Sequence, residues 1–176
     1  MFAAGGSRRV WVGVTGHRSI ADEAGVAAVV DALLDRLAGT GDDAGLGVVS
    51  SLAEGADRLV ARRGLARGGA LVALLPLTPA DYAHDFGDEA SVADFWELLD
   101  LADEVEVVVD VDEADHGREA AYERAGLAVL ERCDVLVALW DGEPGRGRGG
   151  TAELVAEARR RGAPVEVVAV VREEAR

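Results

Sequence analysis

Three short stretches concentrate residue types that bind anions: Thr15-Gly16-His17-Arg18, Ser50-Ser51-Leu52-Ala53-Glu54-Gly55-Ala56-Asp57 and Gly147-Arg148-Gly149-Gly150-Thr151-Ala152-Glu153. Glycine lets the backbone approach a ligand closely. Serine and threonine add hydroxyls, and an Arg beside a His meets phosphate by charge and N–H donation. Gly16, His17, Arg18, Ser51, Gly55, Gly149, Gly150 and Thr151 are therefore candidate ligand contacts. Asp57, at the start of a helical pattern, is either a cap or a contact for ribose. Asp141 ends an apolar run and is either a ligand contact or a turn residue. Glu153 falls in a first helical turn, where it either complements the helix dipole or holds a ribose hydroxyl or acts on a glycosidic bond. The chain has no Lys, which removes a lysine base or Schiff base. It also has no Asn or Gln and is rich in Ala, Gly, Val and Arg, a usage that reads as genome composition bias. His84 and His116 lie among carboxylates without a second His at ligand spacing, so no metal site and no cofactor is expected.

These loops need elements to hold them. Each follows an apolar run, at 10–14, 46–49 and 135–140, and each precedes a helical pattern. A strand, a glycine turn and a helix N-terminus place free backbone N–H groups and a positive dipole end at one point, which suits phosphate or carboxylate. Helical spacing of apolar residues predicts helices at 21–37, 56–67, 94–101, 119–132 and 151–161. Further strands are expected at 70–75, 105–109 and 165–171. The alternation predicts a single α/β domain, a modified Rossmann fold whose mainly parallel sheet carries helices on both faces. The three loops would then converge at the carboxyl edge of the sheet. Residues 76–91 break the rhythm and read as a long irregular loop. In it, Tyr82 and Phe86 either stack on a base or pack ordinarily. The domain spans 10–171, including an acidic elaboration at 76–119, between a flexible terminus at 1–9 and a charged tail at 172–176.

The net charge of −15 is unevenly spread: fifteen acidic residues lie between Asp81 and Glu119 against one basic residue, Arg118. Such a chain repels phosphodiester backbones, so nucleic acid is not an expected partner. The acidic segment is either a solvated surface or a docking face for a basic partner. A chain of 176 residues builds a core without disulfide or metal, and the single Cys133 reads as a structural thiol. No apolar run approaches the roughly 20 residues of a membrane span, and residues 1–9 hold no signal-peptide core. A cytoplasmic protein that does not enter membranes is expected.

Read in order, Val12-Gly13-Val14-Thr15-Gly16-His17-Arg18, the Ser50-to-Asp57 loop, and Cys133-Asp134-Val135-Leu136-Val137-Ala138-Leu139-Trp140-Asp141-Gly142 followed by Gly149-Gly150-Thr151 resemble the SLOG superfamily. That superfamily takes in the Lonely Guy phosphoribohydrolases and the Smf/DprA DNA-processing proteins. The resemblance covers nearly the whole chain and implies a nucleotide or nucleotide-derived ligand in the crevice. Lonely Guy enzymes carry Pro-Gly-Gly-x-Gly-Thr-x-x-Glu directly after the strand. Here Trp140-Asp141-Gly142-Glu143-Pro144 intervenes, and Glu153 stands two positions after Thr151 instead of three. Those enzymes also use an arginine on the preceding helix, and Arg124 lies near that place. The resemblance thus implies Glu153 and Arg124 as catalytic residues if the chain releases a base from a nucleoside 5′-monophosphate. Smf/DprA proteins bind single-stranded DNA through a basic surface that this chain lacks. The Thr-Gly-His-Arg and Trp-Asp-Gly forms look closest to stand-alone SLOG domains that sense nucleotide-derived signals. Three functions stay open: a nucleotide-binding or sensing module, an N-glycosidic hydrolase, and a protein-interaction domain acting through the acidic segment. Relatives of the fold commonly pair as homodimers, and helices lined by Leu and Val would serve; the sequence does not choose.

Overall fold

Runs of Val, Leu and Ala without polar alternation belong in strands buried on both faces, and the chain places such strands at the centre of one sheet. The computed structural model describes residues 9–39, 45–108, 117–144 and 150–172. In chain order the elements are β1 (Val10–Gly16), α1 (Glu23–Ala38), β2 (Leu46–Ser50), α2 (Ala56–Leu65), β3 (Ala70–Leu75) and α3 (Pro79–Ala83). Then come α4 (Glu89–Leu101), β4 (Glu104–Val107), α5 (Gly117–Arg132), β5 (Val135–Trp140), α6 (Thr151–Arg160) and β6 (Val165–Ala169). The strands form one sheet in the order β4-β3-β2-β1-β5-β6. All its pairings are parallel.

Strand alternation sorts the core into two layers. Val12, Val14, Val48, Leu71, Leu75, Val137 and Leu139 pack with Val30 and Leu34 of α1, Val60 of α2, Tyr82 of α3 and Phe95 of α4. On the opposite face Val49, Val72 and Leu74 meet Val129 of α5, and Leu136 meets Leu130 and Leu154. Helices therefore cover both faces. The edge strand β4 differs from the central ones: its Glu104 and Glu106 are exposed and pair with Arg132 at 2.6 and 2.8 Å. Charge on an edge strand discourages pairing with another chain.

The stretch 76–91 is not one irregular loop. Thr78 caps α3, with Pro79 at its start, and Asp88 caps α4 by accepting from the Ser91 N–H at 2.8 Å. A five-residue helix is too short to show a period, and its signal lies in the cap and the proline. Tyr82 and Phe86 are buried, in an aromatic cluster with Phe95 at ring separations of 4.9–5.6 Å. Burial of these rings favours packing over stacking on a base. Several acidic side chains of the segment are engaged by arginines: Asp94 pairs with Arg58 and Arg62, Glu97 with Arg62, and Asp85 with Arg118. Asp110, Asp112, Glu113, Asp115 and His116 lie outside the described residues, as do 1–8 and 173–176 of the two expected termini.

Candidate functional site

Parallel strands end on one edge, and the order of this sheet reverses at β1. The chain runs outward from β1 through β2 and β3 to β4, then returns to lay β5 on the other side of β1. Ligands of open α/β sheets bind outside the carboxyl ends of the strands at such a point. The first loop leaves β1 there and is stitched to both neighbours. The His17 N–H donates to Leu139 O at 3.1 Å, and the Ala56 N–H donates to His17 O at 3.0 Å. Gly16 and Gly55 permit that closeness. A Cβ on Gly16 would stand 2.4 Å from Ala56 Cβ, and one on Gly55, whose φ is +76°, 2.4 Å from His17 O.

The second loop carries a strained residue. Leu52 is fully buried with φ at +56°, a left-handed conformation that costs a side chain about 1–2 kcal/mol. It is held from both sides. Its N–H donates to Ser50 Oγ at 3.0 Å, and its carbonyl accepts from Arg58 Nε at 3.0 Å. Arg58 is itself buried, lies over Phe86 at 4.3 Å and donates to Ser91 O at 2.8 Å. Glu54 braces the loop against α4 by accepting from the Gly87 N–H at 2.9 Å and from the Ser91 hydroxyl.

Between the loops lies a cavity of 180 Å3 walled by Gly16, Arg18, Ser51, Asp57, Gly150 and Thr151, with Tyr82, Tyr122 and Gly126 closing it. The helices α2 and α6 point their N-termini at it. Their cap positions are Gly55 and Gly150, and neither has a side-chain cap. By contrast, Asp22, Thr78 and Asp88 cap α1, α3 and α4 with their side chains. Arg18 lies 5.4 Å over the Tyr122 ring. Burial opposes its charge, but the Tyr122 hydroxyl and the nearby Glu54 raise its pKa above the usual value. Asp57 is buried, and burial pushes its carboxyl up to about 6. The N–H groups of Ala53 and Ser51, the Ser50 hydroxyl and the charge of Arg18 hold that rise in check. Burial, then the Asp57 charge, pushes the Tyr82 hydroxyl well above the usual phenol range, so it stays protonated.

The fold is shared with solved structures. DNA processing protein A (DprA) from Streptococcus pneumoniae is 18% identical over 92% of this chain, with a TM-score of 0.61. The protein TM1055 is 19% identical over 89% of this chain and 72% of its own, with a TM-score of 0.53. The chain spans half the length of the DprA chain it matches. At these identities the likeness is one of fold, and it is the Rossmann-like fold that the SLOG resemblance implied. No protein-family model matches the chain, and no curated protein matches its sequence.

Of the sequence candidates, Gly16, Arg18, Ser51, Asp57, Gly150 and Thr151 meet at the cavity. Gly55 stands behind them at the start of α2, bordering a second cleft with Arg18, Arg58 and Arg62. His17 and Asp141 are taken up with each other and with the chain end. His17 Nε2 lies 3.0 Å from Asp141 Oδ1 and 3.2 Å from Arg172 Nε, and Arg172 Nε lies 2.6 Å from Asp141 Oδ2. Burial works against ionisation of Asp141, yet the Glu143 N–H, His17 and Arg172 hold its carboxyl below the usual range. Glu153 is exposed on α6 and Arg124 half-buried on α5, and the cavity wall is made without either. Glu157, one turn on, is held down to about 2 by Arg160 and Arg161. Gly149 lies outside the described residues. Cys133 packs against Gly13, and burial pushes its thiol up to about 11, which keeps it protonated at neutral pH. Sequence reasoning missed Tyr122 as a wall residue, and Arg58 as the brace of the second loop. Nothing local in the sequence marks either, because both act across elements.

Among the described residues no helix is long and apolar enough to cross a membrane.

Proposed function

We propose that the chain is a SLOG-superfamily domain that binds or senses a nucleotide or nucleotide-derived ligand at the switch-point cavity. The observation that carries this reading is the pattern of caps. Three helices close their N-termini with Asp or Thr side chains, while the two whose N-termini meet the cavity present glycine instead. Helix N-termini without side-chain caps, with their positive dipole ends, suit an anion. Arg18 adds a full charge, and Ser51 and Thr151 add hydroxyls. Binding is favoured over N-glycosidic hydrolysis because neither Glu153 nor Arg124 is among the described residues that wall the cavity.

The test is mass spectrometry on the purified protein incubated with a pool of nucleoside monophosphates, isopentenyl-AMP, ADP-ribose and NAD. One nucleotide retained after desalting, with no free base formed, supports the sensor reading. Free base released by the wild type but not by Glu153→Gln would establish the hydrolase and name its substrate. Neither retention nor turnover would sink the nucleotide site.

A further inference from the structure

One polar atom beside the cavity lacks a partner among the described residues. Tyr82 is completely buried, and its hydroxyl has no hydrogen-bond partner among the described residues. The rings of Phe86, Phe95 and Tyr122 lie 4.9–5.9 Å from the Tyr82 ring, centroid to centroid. A buried hydroxyl without a partner is costly, and such groups in native proteins call for an explanation. The neighbouring open space is the cavity. Tyr82 lines it together with Asp57, whose charge reaches the Tyr82 hydroxyl. A phosphate alone would not satisfy this corner, because a second anion beside Asp57 is repelled. A neutral hydroxyl would satisfy it: it donates to the Asp57 carboxylate and accepts from the Tyr82 O–H.

Resting on the nucleotide reading above, we infer that Asp57 and Tyr82 form a two-point contact for a sugar hydroxyl, so that the cavity selects phosphorylated sugars over bare phosphate. The anion sits towards Arg18 and the α6 N-terminus, and the sugar hydroxyl reaches the Asp57–Tyr82 corner. Tyr82 is then a specificity-determining residue, and its hydroxyl pairs only when ligand is bound. A site built to hydrogen-bond a hydroxyl discriminates more sharply than an apolar one, because a ligand lacking that group leaves polar atoms unpaired.

The experiment is calorimetric titration of the wild type, Tyr82→Phe and Asp57→Asn with inorganic phosphate, ribose 5-phosphate and AMP, alongside thermal unfolding of each protein. The wild type is expected to bind ribose 5-phosphate more tightly than phosphate. Tyr82→Phe should weaken ribose 5-phosphate about tenfold and leave phosphate unchanged. It should unfold at the wild-type temperature or above, because it deletes an unpartnered group. Asp57→Asn should likewise weaken the sugar phosphate selectively, and it tests the same corner if Tyr82→Phe folds poorly. AMP bound more tightly than ribose 5-phosphate would mark a nucleotide as the source of the sugar. Equal binding would mark a free sugar phosphate, and in both cases the Tyr82→Phe loss should persist. The inference is overturned if the wild type binds ribose 5-phosphate and both variants bind it equally well. A clearly lower unfolding temperature for Tyr82→Phe would also overturn it, by showing that the hydroxyl is already partnered. A wild type that binds none of the three ligands would overturn the nucleotide reading itself.

Discussion

Asp57 is a buried acid in the cavity wall, and its protonation is linked to folding. Its carboxyl titrates near 6 when folded, against 3.8 when free. Between those values the folded protein keeps a proton that the unfolded chain has released, so this group's contribution to stability is present below pH 4 and lost as pH rises through 6. The loss amounts to about 3 kcal/mol at one pKa unit per 1.36 kcal/mol. Asp141 and Glu157, whose carboxyls are held low, act in the opposite sense and lose stability as pH falls. Comparison with Asp57→Asn isolates the one slope. The stability of the variant relative to wild type, from urea unfolding at pH 3, 5 and 7, should rise by up to about 3 kcal/mol across the series. A constant difference would place Asp57 in a wet environment. Arg18 supplies the cavity's full positive charge, and hydrogen bonds to charged groups are worth about 1.5–3 kcal/mol. Arg18→Ala should therefore weaken a retained nucleotide roughly ten- to hundredfold, read by calorimetric titration. An unchanged affinity would move the anion elsewhere.

At the scale of elements, the first loop is tied to its neighbours because the His17 backbone bonds to β5 on one side and α2 on the other. Gly55 sits at one of these crossings, with positive φ and the His17 carbonyl where a side chain would begin. Gly55→Ala should destabilise the fold by about 2 kcal/mol or more and weaken ligand binding with it, since the displaced segment carries Arg18. The cap of α1 provides the contrast. Asp22 accepts from the Gly25 N–H at 3.0 Å, away from the cavity wall. Asp22→Ala should cost about 1 kcal/mol in chemical unfolding and leave ligand affinity untouched. If both variants changed affinity alike, the loops would be coupled through global stability and not through direct contact.

For the whole molecule, charge is the governing quantity. The chain carries −15 overall, and several of its acidic side chains pair with arginines, namely Arg58, Arg62, Arg118 and Arg132. Arginines engaged in this way are not a free basic stripe. The net field disfavours a polyanion even though the fold is shared with a DNA processing protein. A fluorescent single-stranded oligonucleotide titrated at about 100 mM salt, where the screening length is near 10 Å, should show no anisotropy change up to tens of micromolar protein. Saturable binding would reveal a local basic surface that net charge conceals.

The sequence by itself determined the alternating strands and helices, the buried central strands and the loops at the carboxyl edge. Each of these follows from patterns within a few residues: apolar runs, 3.6-residue spacing, glycine before a helix start. Gly16, Arg18, Ser51, Asp57, Gly150 and Thr151 were legible for the same reason, since each sits at a strand end or helix start. The helices over 76–91 were less legible, because cap chemistry rather than periodicity specifies them. Only the tertiary structure decided which candidates share a cavity. It turned His17 and Asp141 towards Arg172, and left Glu153 exposed on α6. It also brought Tyr82 from α3 to the side of Asp57 on α2. Such choices depend on how neighbouring helices are laid against the sheet, a long-range matter of packing and charge partners that no local window of sequence contains.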